Sequence, residues 1–123
     1  MIYGVGVDIC SIEKIKRIQN KDSFLKKYFS DTEYKYIKEK GKKEDQTIAG
    51  LFAAKEALVK VLGTGFENFE LTAIEVLHDI YGKPYYNFMG WAKEAIESRL
   101  ITHIFLSISH DEGIAVAYAV AEI

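Results

Sequence analysis

Glu56 and Lys60 stand four residues apart in Leu51-Phe52-Ala53-Ala54-Lys55-Glu56-Ala57-Leu58-Val59-Lys60, so a helix there carries a carboxylate and an amine on one face. The glycine turn Gly63-Thr64-Gly65 follows at once. Ile48, Leu51, Phe52, Leu58, Val59 and Leu62 recur at helical spacing and mark the buried stripe. Glu56 and Lys60 fall at its border, beside the small Ala49 and Ala53. A helix packed on that stripe holds both charged groups over a cleft. By itself the pair reads equally as a solvated ion pair beside a helix C-cap at Gly63, and it becomes a site only if a second carboxylate joins it.

The segment Ile2 to Ile9 supplies one. Its alternation puts Tyr3, Val5, Val7 and Ile9 on one strand face and Ile2, Gly4, Gly6 and Asp8 on the other. Glycine inside a strand costs stability, so two of them on the Asp8 face point to close approach by another backbone or by a ligand. The alternative is that Asp8 opens a turn or caps the helix after Ile9. Two separated carboxylates beside an amine, with a glycine turn and no Cys or His cluster, favour a hard, oxygen-seeking cation such as Mg²⁺ shared with phosphate oxygens.

The elements that must position these groups read as α+β, with a helical region after the first strand and a strand-rich C-terminal part. Ser11 starts a helix carrying Ile12, Ile15 and Ile18, and Asp22 or Ser23 starts another through Phe24, Leu25 and Tyr28. Ser30 and Glu33 form a capping box for a helix to Lys40, ended by Gly41, and Gly41 to Asp45 is a charged loop. Strands are expected at Leu71 to Leu77 and Pro84 to Phe88, a helix at Trp91 to Arg99, and strands at His103 to Ser109 and Ile114 to Ala121. Asp111-Glu112-Gly113 is the hairpin turn between the last two. In the last strand Ile114, Val116, Tyr118 and Val120 share one face, and Ala115, Ala117, Ala119 and Ala121 the other, which accepts a helix or another subunit at close range. His110 ends the apolar face of Ile104, Leu106 and Ile108; alone it reads as a satisfied core or turn histidine, as do His78 and His103.

At 123 residues the chain fits one domain, 1–123, with a core covering roughly two thirds of its unfolded surface. A hydrophobic fraction of 49% and a single Pro argue against disorder. Cys10 is the only cysteine, which excludes an intrachain disulfide and fits a reducing cytoplasm; it reads as a small buried thiol. Neither a basic start with a sustained apolar run nor a span of membrane length is present, so the protein is expected to be soluble and unprocessed. The net charge of −2, with no aromatic stacking motif beside the basic residues, makes nucleic acid a poor partner.

Three segments match a known family in order and spacing. They are Gly4-Val5-Gly6-Val7-Asp8-Ile9 with Ile12 and Ile15; Phe52-Ala53-Ala54-Lys55-Glu56-Ala57 with Lys60 and Gly63-Thr64-Gly65; and Ser107-Ile108-Ser109-His110. Gly82-Lys83-Pro84 is a fourth, weaker match. On these the chain resembles the holo-acyl-carrier-protein synthases, the small single-domain class of 4'-phosphopantetheinyl transferase. The resemblance implies an antiparallel sheet with a long helix packed on it, and a homotrimer with sites at subunit boundaries. It also implies transfer of phosphopantetheine from coenzyme A to a serine of an apo-acyl carrier protein, for fatty acid biosynthesis.

By the same resemblance, Mg²⁺ falls to Asp8 and Glu56, and Lys60 faces the phosphate oxygens and the charge that develops on them. Coenzyme A falls to Lys60, Gly63, Thr64, Gly65, Gly82, Lys83, Pro84, Ser109 and His110. Glu56 or a water on the metal takes the proton of the attacking serine. Lys55 projects into the apolar stripe, from which it either reaches the phosphates or pairs with an acid at an interface. Lys14, Arg17 and Lys21 lie on one expected helix face, suited to docking an acidic carrier protein, or to simple solvation. The chain departs from the family at Lys14 and Leu51, where Arg is usual, and at Tyr81, where Asn is usual. Two other classes fit the residues: another Mg²⁺-dependent phosphate-ester enzyme, and a catalytically silent carrier-binding module.

Overall fold

The computed structural model of the chain describes residues 1–63 and 70–123. Strand β1 (Ile2–Ser11) runs directly into helix α1 (Ile12–Lys16), whose N-cap Ser11 accepts a hydrogen bond from the Lys14 backbone N–H. Helices α2 (Lys21–Tyr28), α3 (Asp31–Lys38) and α4 (Glu44–Leu62) follow, the last entered through a 3-10 turn at Gly41–Lys43. Then come β2 (Ile74–His78), β3 (Pro84–Phe88), helix α5 (Gly90–Ser98), β4 (His103–Asp111) and β5 (Ile114–Glu122). Among the described residues no helix is long and apolar enough to cross a membrane.

The strands divide between two antiparallel sheets. One has the order β1-β5-β4, with Asp8 opposite Ala117; the other is the β2–β3 hairpin alone. The α+β reading with a long helix on an antiparallel sheet holds, and α4 is that helix. Small residues on both sides let it lie close: Ala115, Ala117, Ala119 and Ala121 of β5 and Ala49, Ala53 and Ala57 of α4 are all fully buried. The alanine face of β5 is thus covered by a helix of the same chain. A β-carbon on Gly4 would stand 3.1 Å from the Val61 carbonyl oxygen, so the glycine face of β1 is approached by the α4 backbone. Among the described residues the other face of the sheet is uncovered, and Val5, Val7, Ile9, Phe105 and Tyr118 are exposed on it.

Several boundaries move for local reasons. α1 stops at Lys16, short of Ile18, and α2 starts at Lys21 because the Asn20 side chain accepts from the Ser23 N–H, so Asn20 rather than Asp22 or Ser23 is the cap. Both bonds of the Ser30–Glu33 capping box are present, but α3 ends at Lys38, before Gly41. The expected charged loop to Asp45 is the 3-10 turn and the first residues of α4. Leu71 to Ala73 form a 3-10 turn, so that strand begins at Ile74. β4 continues to Asp111, and Glu112 and Gly113, with φ of 50° and 78°, make the two-residue turn.

Candidate active site

Asp8, Glu56 and Lys60 converge where the far end of β1 meets the C-terminal half of α4. Lys60 Nζ donates to Asp8 Oδ1 at 3.1 Å and to the Val7 carbonyl at 2.9 Å. The site opens to solvent at the lysine, whose side chain is 56% exposed against 20% for Asp8. Half-burial raises the Glu56 carboxyl above its ordinary value, and the negative charge of Asp8 raises it further, with Lys60 partly offsetting both. Two carboxylates thus share a partly desolvated site with one cation. Among the described residues no group of three or more His, Cys, Asp or Glu is placed to hold a metal. The donor set suits a hard divalent cation that takes two carboxylates from the protein and its remaining oxygens from substrate and water. Cys10 is half-buried nearby; burial first, then Asp8, pushes its thiol up, which makes it a poor nucleophile.

Gly63 closes α4 in the left-handed conformation, φ 78°, its N–H donating to the Val59 carbonyl. Thr64 and Gly65 lie outside the described residues.

A cavity of about 270 Å³ opens at the other end of α4, and it brings together His110, Gly82 and Pro84. Lys40, Lys43 and Gln46 line it too, and the Gln46 side-chain nitrogen stands 2.9 Å from His110 Nε2. Gln46 precedes Glu56 by ten residues on α4, which is about 15 Å along the helix axis. Leu51, in place of the usual Arg, is buried in the cavity wall, which Lys40 and Lys43 also line. His78 also lines the cavity, stacked on Tyr36 with ring centroids 4.2 Å apart, whereas its sequence context had suggested only a core or turn residue. No local motif announces Lys40, Lys43 or Tyr36, because the cavity is assembled from α3, α4, the β2–β3 turn and β4.

Besides Lys60 and Gly63 at the far end of α4, the expected coenzyme residues Ser109 and Lys83 stand apart from this cavity. Ser109 alternates with His110 on β4 and so belongs to the opposite, uncovered sheet face. Lys83 is exposed, with its backbone N–H bonded to the Asp79 carboxylate, which also accepts from Tyr81 N–H. That carboxylate shapes the turn in the presence of Tyr81. The basic helix face is corrected as well. Lys14 lies in α1 and Arg17 is its C-cap, but Lys21 begins α2 and bonds Asp45 at 2.7 Å. Arg17 pairs with Glu13 on the surface. Lys55 neither reaches outward nor meets an interface: it is buried in the core beside Glu33. His103 lies exposed near Glu122.

A sequence model of the 4'-phosphopantetheinyl transferase superfamily matches residues 4–119. The holo-[acyl-carrier-protein] synthase of Clostridium tetani is 46% identical over 123 residues, covering 99% of this chain and 97% of that protein. The crystal structure of the synthase from Neisseria meningitidis superposes with a TM-score of 0.90 at 33% identity, covering all of both chains. That of the Helicobacter pylori synthase in complex with coenzyme A superposes with a TM-score of 0.82 at 31% identity, covering 96% of this chain and 99% of that one. The chain therefore belongs to the 4'-phosphopantetheinyl transferase superfamily and, within it, to the holo-acyl-carrier-protein synthases.

Proposed function

We propose that this protein transfers the 4'-phosphopantetheine group of coenzyme A to a serine hydroxyl of an apo-acyl carrier protein, releasing adenosine bisphosphate. The observation that carries the reading is the convergence of Asp8, Glu56 and Lys60 on a family fold, with a basic cavity farther along the same helix. Asp8 and Glu56 would hold Mg²⁺, which when bound offsets charge on the pyrophosphate oxygens. Lys60, half-exposed and one turn beyond Glu56, supplies a mobile positive charge to the departing phosphate. Glu56, with its carboxyl held up by burial and by Asp8, is suited to take the serine proton. His110, Lys40 and Lys43, with Gly82 and Pro84, grip the nucleotide end of the coenzyme, and the family resemblance assigns its phosphates to the Gly63-Thr64-Gly65 segment after α4.

A trimer accounts for the uncovered sheet face. Val5, Val7 and Ile9 of the Asp8 strand, with Phe105 and Tyr118 of β4 and β5, leave apolar side chains exposed on it. Ser109 and Lys83, which lie outside the cavity of their own chain, are then available to the site of a neighbouring copy. Lys14 and Arg17, exposed just beyond Asp8, are the docking charges for an acidic carrier, with Lys21 contributing through its surface rim.

Mass spectrometry of purified apo-carrier incubated with the protein, coenzyme A and Mg²⁺ tests the activity. A carrier heavier by one phosphopantetheine is expected. Release of nucleotide product without carrier would instead indicate a hydrolase, and carrier retained at unchanged mass a silent binder.

A further inference from the structure

Lys55 and Glu33 are both fully buried and bonded to each other at 2.7 Å. Lys55 Nζ also donates to the carbonyls of Ile74 at 2.6 Å and Leu71 at 3.0 Å, so all three of its protons are used. The Glu33 carboxylate accepts from the Ser30 backbone N–H through Oε1 and from the Val76 backbone N–H through Oε2, both at 2.9 Å. Two more bonds run alongside: Ser30 Oγ to Glu75 at 2.6 Å, and the Tyr86 hydroxyl to the Ala54 carbonyl at 2.6 Å. Burial pushes the Glu33 carboxyl up and the Lys55 ammonium down, and each partner opposes the other's shift.

Four of these bonds attach the β2–β3 hairpin to α4 and to α3 with its cap: Lys55 to Ile74, Val76 to Glu33, Ser30 to Glu75 and Tyr86 to Ala54. Among the described residues no backbone ladder joins that hairpin to the three-stranded sheet, so it is seated by apolar packing of Ile74 and Val76 together with these directional side-chain bonds. It carries His78, Gly82 and Pro84 of the cavity wall, while Lys55 precedes Glu56 on α4. A buried ion pair contributes little net stability compared with apolar residues of the same volume, and in some proteins such pairs are retained because their directional bonds fix geometry.

Resting on the transferase reading above, we propose that Glu33 and Lys55 are positioning residues, which hold the cavity-bearing hairpin in register with the Asp8–Glu56–Lys60 centre. Neither touches the reacting atoms. They act through the placement of His78, Gly82 and Pro84 relative to Glu56.

The test compares wild type with the doubly substituted Glu33→Gln/Lys55→Met, which removes both charges without leaving one unpaired, and with Tyr86→Phe. Thermal unfolding, coenzyme A binding by calorimetry, and the pH dependence of carrier modification are measured on each. The double variant should unfold within a few degrees of wild type, yet bind coenzyme A about tenfold more weakly and turn over at least about tenfold more slowly at saturation. Its acidic pH limb should stay in place, because Glu56 is shifted first by its own burial and then by Asp8 and Lys60, with no contribution from the charges of this pair. Tyr86→Phe should weaken binding in the same direction by about threefold. A folded double variant with wild-type binding and turnover would overturn the proposal, and so would a moved pH limb with unchanged binding. If the double variant does not fold, Tyr86→Phe decides, and unchanged binding there overturns it. Wild-type protein that binds coenzyme A without modifying carrier would refute the proposed function alone, and the calorimetric comparison would still read the positioning.

Discussion

Gly6 of β1 faces Ala57 of α4 so closely that a β-carbon on the glycine would lie 2.0 Å from the alanine carbonyl oxygen. Ala57 is the neighbour of Glu56, and Gly6 precedes Asp8 by two residues on the same strand face. The contact therefore sets the separation of the two carboxylates. Gly6→Ala should force strand and helix apart, lowering stability by about 3 kcal/mol and abolishing transfer. Calorimetric unfolding together with the carrier assay checks this, and an unchanged unfolding temperature with full transfer would mean that the approach is not required.

Asp8→Asn and Glu56→Gln should each suppress transfer and weaken its dependence on Mg²⁺ while leaving the fold intact. Glu56 also carries a pH signature in chelator-treated protein. Its folded carboxyl titrates above its unfolded value, so its contribution to stability is fully present below the ordinary glutamate pKa and is lost as pH rises through the raised folded value. Glu56→Gln should accordingly gain on wild type as pH increases across that window. Unfolding curves at a series of pH values read the difference, and parallel curves would show that Glu56 is not desolvated.

Lys60→Ala should reduce turnover by at least about 100-fold with a smaller effect on coenzyme binding, as for an interaction that strengthens in the transition state. Lys60→Arg should restore only part, because a planar fork replaces a point charge that bonds both Asp8 and the Val7 carbonyl. Steady-state kinetics with only the half-saturating coenzyme concentration raised would make Lys60 a ground-state binding residue.

Charge reversal at Lys14 and Arg17 should raise the carrier concentration needed for half-maximal rate and flatten its dependence on salt, leaving coenzyme A binding unchanged. Lys21→Glu should instead act first on stability, since it breaks a partly buried pair with Asp45 and sets two acids face to face. A salt series on each variant separates the two effects. Parallel rate curves for wild type and the Lys14/Arg17 variant would place the carrier elsewhere.

How far the sequence could be read depended on the range over which each feature is encoded. Asp8, Glu56 and Lys60 were visible because strand and helix periodicities are local, and because Gly4 and Gly6 mark the face where the two elements meet. The cavity was only partly visible: His110, Gly82 and Pro84 sit in recognisable motifs, whereas Lys40, Lys43 and Tyr36 acquire meaning only when α3 is folded against the β2–β3 turn. The partner of Lys55 was hidden for a different reason. Glu33 was already accounted for by its capping box with Ser30, and nothing nearby signals that a carboxylate oxygen in that box also reaches across the core. Lys21 was misplaced because Asn20 starts a new helix where the basic spacing suggested a continuing one.

Among the described residues β1 has one ladder partner, β5, and Asp8 lies opposite Ala117. β1 therefore has no edge to pair with until β5 has been made. Pairing across so long a stretch of chain is slow, and an unpaired strand bearing Val5, Val7 and Ile9 is adhesive in the meantime. Nascent chains stalled before Ile114 should thus hold their helices but lack a seated Asp8, so that catalytic competence arrives in one late step.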